Sequence, residues 1–367
     1  MARIKSFKTM LLQRSTIVLA TAYGRPAQTK EHVFVILEDE DGVCGWGEST
    51  PLTKFTGETT HSVRLLLEEE LLPAIVGMDS FNIAAIHRVM DRALYGNTSA
   101  KMAIDTALYD LNAKAMDVPL YQLLGGCVRK TVMINRHLGI MSVEEAVEKA
   151  RGYVQDGFKS IKMKVGNHPD EDINRVQAVR DAVGTDIHMR IDANGSYTYP
   201  QALRVARALA DVNLEMFEQP LPKWDVDAMV DLRKIVNMPL GADESITSVQ
   251  EAMIMAQRGA ADVFTIKLVK IGGLYPALQV AGIARAANIS CIVAATYDTQ
   301  VNTAHCLHLA CALPGEIIPC DLTCYATQPT QADTCHILKD GMLTVGTEPG
   351  CGVRSLIELG NLADIRP

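Results

Sequence analysis

Three acids and three lysines are strung between residues 162 and 267 of this 367-residue chain, and together they are the residue types that move protons beside carboxylates. Lys162 and Lys164 come first, in SIKMKVG; Asp192 follows in HMRIDANG, Glu218 in LEMFEQP, Asp243 in MPLGADES and Lys267 in VFTIKLVK. From Lys164 to Lys267 the steps are 28, 26, 25 and 24 residues. Each charge ends a short apolar run, where a strand would prefer branched apolar side chains. If the acids converge, they repel one another strongly in a dry pocket, and a divalent cation removes the conflict. All-oxygen ligation selects a hard ion, Mg²⁺ first and Mn²⁺ second. The plainer reading is that each acid is a solvated strand end or an ion-pair partner of a nearby lysine. Lys164 and Lys267 lie four units apart, so in a closed ring they would face each other across its mouth. A substrate carboxylate held between them would have its α-carbon flanked by two amines, placed to remove a proton on one side and return it on the other. A lysine base at neutral pH needs a lowered pKa, which neighbouring cations would supply. Structural ion pairing of Lys162 or Lys164, and Lys270 rather than Lys267 at the strand end, are the competing readings.

The elements that must position these groups follow a rhythm. Eight apolar runs alternate with amphipathic stretches: 132–139, 160–166, 188–195, 214–220, 238–245, 263–270, 289–296 and 316–323. A steady period near 26 residues predicts an α/β fold of the (β/α)₈ TIM-barrel type. A doubly wound open sheet is the alternative, but no GxGxxG follows a strand. Residues 1–128 read differently: an antiparallel hairpin over 31–49, turning at Glu40-Asp41-Gly42, then three helices starting near Ser62, Phe81 and Ala100. The expected domains are an α+β unit at 1–128, the barrel at 129–325, and a segment at 326–367 whose hairpin returns to the N-terminal unit. Tyr297, Asp298, Asp321 and Thr323 fall at or just past strands seven and eight, where they would touch the rest of the substrate. The Tyr297 face with its carboxylate neighbours hints at a cation on that substrate. Gly272-Gly273 could open a phosphate-binding helix N-terminus, although a plain turn explains it as well. His305 and His308 fall within a helix and read as packing residues.

Composition removes other classes. Net charge is −8 and the isoelectric point is near 5.6, with no basic stripe to favour nucleic acid or an anionic membrane. No run approaches the roughly 18 apolar residues of a membrane span. The nine cysteines are scattered without a CxxC, as expected of reduced thiols in a cytoplasmic protein.

GWGEST (45–50), LYQLLGG (120–126), KMK (162–164), DANG (192–195), EQPL (218–221), ADES (242–245) and IKLVKIGGL (266–274) occur in this order. With this set the chain resembles the enolase superfamily, specifically its muconate lactonizing enzyme subgroup within the mandelate racemase/muconate lactonizing enzyme family. The resemblance implies a modified (β/α)₈ barrel under an N-terminal α+β capping domain. Two loops of that domain, near Thr21–Arg25 and Thr50–Phe55, would close over the substrate. It implies Asp192, Glu218 and Asp243 as Mg²⁺ ligands, Lys164 and Lys267 as opposed acid/base groups, Lys162 oriented toward the substrate carboxylate, and Asn194 as a support. Glu244 would be a supporting or surrogate ligand. The absence of a strand-end histidine points away from the mandelate racemase subgroup. Dipeptide epimerases carry Asp-x-Asp on strand eight, whereas this chain has Asp321-Leu322-Thr323; near strand seven Asp298 replaces the usual glutamate. The subgroup also implies a homo-oligomer, dimer to octamer.

The expected enzyme is therefore an isomerase that removes the proton α to a carboxylate through a metal-stabilised enolate. Racemisation or epimerisation of an amino-acid derivative (an N-acylamino acid, dipeptide or betaine) leads. Muconate-type cycloisomerisation and hydroxy-acid dehydration follow. A Schiff-base aldolase using Lys267 and a non-catalytic, metal-stabilised binding protein are the readings from other classes.

Overall fold

A computed structural model describes residues 3–16, 19–328, 333–355 and 365–366. The N-terminal unit opens with three antiparallel strands, β1 (Ile4–Ser15), β2 (Thr29–Asp39) and β3 (Cys44–Ser49). The β2–β3 turn forms because Asp39 accepts hydrogen bonds from the Asp41 and Val43 amides, while Gly42 takes a left-handed φ of 81°. β1 is an addition to the expected hairpin. Its side chains alternate only weakly between buried and half-exposed, so its period is faint in the sequence. Helices α1 (Thr60–Leu66), α2 (Ile83–Ala93) and α3 (Thr98–Ala115) close over this sheet. Val63, Ile86, Ile104 and Leu108 pack there against Val33, Val35 and Leu37.

The glycines of GWGE explain how closely α3 approaches β3. A Cβ at Gly45 or Gly47 would overlap the carbonyl oxygen of Ala107 or Ala103. With period two along the strand, the glycines face the helix, and Trp46 and Glu48 emerge on the other side.

The barrel follows. Strands β4 (Thr131–Met133) and β5 (Arg136–Leu138) realise the first predicted run in two pieces. After helix α4 (Val143–Gln155) come β6 (Ser160–Lys164), α5 (Pro169–Val183), β7 (His188–Asp192) and α6 (Tyr199–Ala208). Then come β8 (Met216–Glu218), α7 (Val226–Ile235), β9 (Leu240–Ala242), α8 (Val249–Arg258) and β10 (Val263–Lys267). Helix α9 (Leu274–Ala286), β11 (Ser290–Ala294) and α10 (Gln300–Ala312) complete the alternation. Strands β5 to β11 form one parallel sheet in sequence order. The eighth predicted run closes the ring through single bridges. The Asp321 amide donates to Val293 at 3.1 Å, and the Cys320 amide donates to Met133 at 2.8 Å. This is a modified (β/α)₈ barrel, floored by Met216, Val263, Ile292 and Ala294.

The C-terminal hairpin, β12 (Ile337–Lys339) with β13 (Met342–Thr344), pairs with β4 of the barrel rather than with the N-terminal sheet. The return to the N-terminal unit is made instead by Gly350 and Cys351, at Val118, Leu120 and Asp110, and by Ile365–Arg366 alongside β1. The stretch 356–364 of the expected last segment lies outside the described residues.

Two buried carboxylates of the N-terminal unit lock it to the barrel. Glu48 accepts from the Thr299 amide at 2.8 Å and the Asn302 amide at 3.0 Å, at the start of α10. Asp105 accepts from the Leu274 and Tyr275 amides at the start of α9 and from His87 Nε2. Both place a negative charge where a helix presents unpaired amides. The Gly272-Gly273 turn thus leads to a helix N-terminus already occupied by Asp105. Gly273 (φ 124°) is required there, since a Cβ would run into the Asp105 carboxyl.

Candidate active site

Register brings the charges together. Lys164 pairs with Asp192, and Asp192 with Glu218, across adjacent strands, so the three side chains point the same way. Asp243 lies just past β9, where Gln219 of EQPL fixes the backbone: its side-chain oxygen accepts from the Asp243 amide at 3.0 Å and the Ser245 amide at 3.2 Å. Asp192, Glu218 and Asp243 are fully buried, and one oxygen of each lies within 4.8 Å of the others.

Lysines compensate this charge from both sides. Lys164 Nζ donates to Asp192 at 2.6 Å and to Asn194 Oδ1 at 3.2 Å. On the opposite wall, Lys267 Nζ bonds Asp243, which also takes Lys270 Nζ at 2.7 Å. From below, Lys162 Nζ lies 2.9 Å from Asp192, 2.7 Å from Glu218 and 3.0 Å from Asp321. Lys270 sits one turn past the strand end and buttresses Asp243, while Lys267 is the residue that lines the cavity.

The acids they touch govern Lys267 and Lys162. Burial disfavours the Lys267 ammonium, but Asp243 more than reverses this and the net direction is up. Lys162 behaves likewise: burial opposes its charge, and Asp192, Asp321 and Glu218 raise it well above the ordinary value. At both lysines the contacting carboxylates outweigh burial and the neighbouring cations. Burial opposes ionisation of Asp243, yet Lys267 and Lys270 hold its carboxyl down at about 2. Glu218 goes the other way. Burial, together with Asp192, Asp243 and Asp321, overcomes the pull of Lys162 and pushes it up to about 7.

The donor set fits a divalent cation. Glu218 Oε2 is buried without a well-aligned hydrogen-bond donor, and the three acids converge on one point. Their all-oxygen character suits a hard ion.

The cavity over this floor has a volume of about 440 Å³ and runs between the barrel mouth and the two loops of the N-terminal unit. Tyr23 donates from its hydroxyl to Glu244 Oε1 at 2.8 Å, Lys54 Nζ donates to the Tyr23 carbonyl at 2.9 Å, and the Phe55 ring lies 5.0 Å from Lys267 Nζ. Glu244 therefore turns inward, held by Tyr23 and by Asn194 Nδ2 at 3.0 Å, because it follows the strand end and escapes the alternation that would aim it away.

The remaining expected residues separate into two groups. Thr323 and Tyr297 line the cavity. Asp321 borders it but commits its oxygens to Lys162, Asn135 and Arg190, with His137 Nε2 at 3.4 Å. Asp298 turns one oxygen back to the Thr296 amide at 2.8 Å. Lys30 Nζ stands over the Tyr297 ring, 5.3 Å from its centroid. Arg190 and His137 were not foreseen. Arg190 is fully buried inside the barrel and donates to the Pro319 carbonyl at 2.7 Å. Its signal was present: two residues before Asp192 on one strand, it must face the same way.

Comparison with known proteins places this geometry. Residues 10–125 match the mandelate racemase/muconate lactonizing enzyme N-terminal domain, and residues 145–356 match the enolase C-terminal domain-like family. The chain belongs to the mandelate racemase/muconate lactonizing enzyme family. It is 37% identical over 279 residues to the N-succinyl-L-Arg/Lys racemase of Bacillus cereus, covering 76% of each chain. It is 33% identical over 287 residues to muconate cycloisomerase 1 of Rhodococcus opacus, covering 77% of each. The dipeptide epimerase structure from Enterococcus faecalis, complexed with Mg and L-Leu-L-Tyr, superposes with a TM-score of 0.91 at 34% identity, covering 96% of this chain and 100% of that one. As a family member the chain is an enzyme of the isomerase class, which sets aside the non-catalytic reading. No helix among the described residues is long and apolar enough to cross a membrane.

Proposed function

We propose that this enzyme removes and returns the proton α to a carboxylate, with Lys164 and Lys267 as the two acid/base groups, and that it racemises or epimerises an amino-acid derivative. One observation carries the proposal. The two lysines reach the carboxylate trio from strands on opposite sides of the ring, Lys164 at Asp192 and Lys267 at Asp243, and both line one cavity. Asp192, Glu218 and Asp243 would hold Mg²⁺, which when bound supplies the positive charge that lowers the cost of an enolate. Lys162, beneath the trio, adds a second cation for a substrate carboxylate. Each flanking lysine removes the α-proton from its own face, and the ammonium opposite delivers one to the other face. The capping loops exclude water above the α-carbon. Amino-acid derivatives are favoured because the racemase and epimerase relatives match at identities of 30–37% over three quarters or more of the chain.

The test is proton exchange in ²H₂O with Mg²⁺, followed by NMR, over N-acylamino acids, dipeptides, betaines and muconates. We expect deuterium at the α position of recovered substrate and of its epimer. Lys164→Ala and Lys267→Ala should each abolish exchange of at least one enantiomer while Mg²⁺ binding survives. Exchange of both enantiomers persisting in either variant refutes the two-lysine assignment. A borohydride-trapped adduct on Lys267 would support the aldolase reading instead.

A further inference from the structure

The outer part of the cavity is lopsided in charge. Arg25, Lys30, Lys54 and Arg136 line it, against Asp298 and Asp321 alone among acids. Asp321 is spent on Arg190 and Lys162, whereas Asp298 turns only Oδ2 back to the Thr296 amide and keeps a buried Oδ1 without a hydrogen-bond partner among the described residues. Two of the four cations are engaged, and Arg25 is exposed to water. Lys54 donates to the Tyr23 carbonyl, and the Arg136 guanidinium lies 4.4 Å from the Tyr153 ring and 5.0 Å from the Phe158 ring.

Lys30 is different. Second in β2, it is half-buried at the cavity wall and, among the described residues, has no carboxylate within ion-pair distance. Among the described residues its ammonium meets the Tyr297 face, at 5.3 Å. Burial lowers its pKa with no acid to offset this. A cation withdrawn from water without a counter-charge is unfavourable unless a ligand brings one. Tyr297, which also lines the cavity, is close enough to Lys267 to feel its charge.

We propose that Lys30 recognises a second carboxylate of the substrate, remote from the one at the catalytic floor, so that the substrate is a diacid. This rests on the proposed function and narrows it. The second carboxylate has two possible carriers, an N-acyl arm such as succinyl or an acidic amino-acid side chain, and a cavity of about 440 Å³ has room for either.

The test is calorimetric binding to the Mg²⁺-loaded enzyme. The ligand pairs are N-succinyl-valine against N-acetyl-valine, and N-acetyl-glutamate against N-acetyl-glutamine. At least one diacid should bind about tenfold to a hundredfold more tightly than its partner, the scale of a charge-assisted contact. The pair that shows the preference identifies the carrier. In Lys30→Met the ratio should fall to near one, and Lys30→Arg should keep it. Equal binding within both pairs, no binding by any of the four, or a preference that survives Lys30→Met overturns the inference. A diacid preference with no α-proton exchange would support the Lys30 subsite and overturn the proposed function, so the two failures are distinguishable.

Discussion

Replacing Glu48 by alanine should weaken the protein far more than the loss of one side chain on a β-strand suggests. Glu48 is fully buried and accepts hydrogen bonds from the Thr299 amide, the Thr299 hydroxyl, the Asn302 amide, the Thr50 hydroxyl and His32 Nδ1. The hydroxyls can rotate to new partners. The two amides cannot, because they belong to the first turn of α10. Each stranded buried donor costs about 1–3 kcal/mol, and the lost charge at the helix N-terminus adds about 0.3–1 kcal/mol. Water entering the truncated space recovers part of this, leaving about 3–5 kcal/mol, a large share of the ~5–15 kcal/mol typical of a folded protein. Glu48→Gln keeps the shape and one acceptor and should cost about half as much. The assay is urea unfolding of the Mg²⁺-loaded enzyme, followed by circular dichroism and, in parallel, by Trp46 and Trp224 fluorescence. Because Glu48 ties the capping loops to the barrel, KM should rise more than kcat in the variant that stays folded. A loss under about 1 kcal/mol for Glu48→Ala would refute the argument that this carboxylate caps α10 from another domain.

Two further outcomes follow from the described geometry. Since the Glu218 carboxyl is pushed up to about 7 and must lose its proton to ligate a metal, Mg²⁺ affinity should be constant above pH 7 and fall up to tenfold per unit below it. Calorimetric titration at pH 5.5, 6.5 and 8 checks this, and a flat profile contradicts it. Gly47→Ala sets a Cβ against the Ala103 carbonyl oxygen, so we expect a loss of about 3 kcal/mol or insoluble protein, read from expression and urea unfolding; near-wild-type stability would show that α3 can move away.

The barrel and its strand-end charges were legible because both obey short rules. A period near 26 residues places strand ends, and a charge at an otherwise apolar strand end needs a reason. What escaped the sequence lies in pairings across the ring. Arg190 meets Asp321, 131 residues away, and His137 meets the same acid; no local pattern links them. The direction of the Lys267 shift also depends on a contact, with Asp243, that spacing places nearby but not at bonding distance. Strand eight was foreseen as a run but is held only by isolated bridges, and the C-terminal hairpin chose β4 over the N-terminal sheet. Alternation shows that a strand has two faces, and it leaves open which neighbour each face will find.

The two carboxylate anchors have an evolutionary corollary. The groups proposed to handle the proton are rooted in the barrel, whereas Tyr23, Lys30, Lys54 and Phe55 hang from a separate scaffold pinned at Glu48 and Asp105. Inheritance can therefore rewrite which molecule is welcomed without retuning the engine beneath it. A loop graft from a sister protein should transplant a taste for its cargo, provided that both pins travel intact.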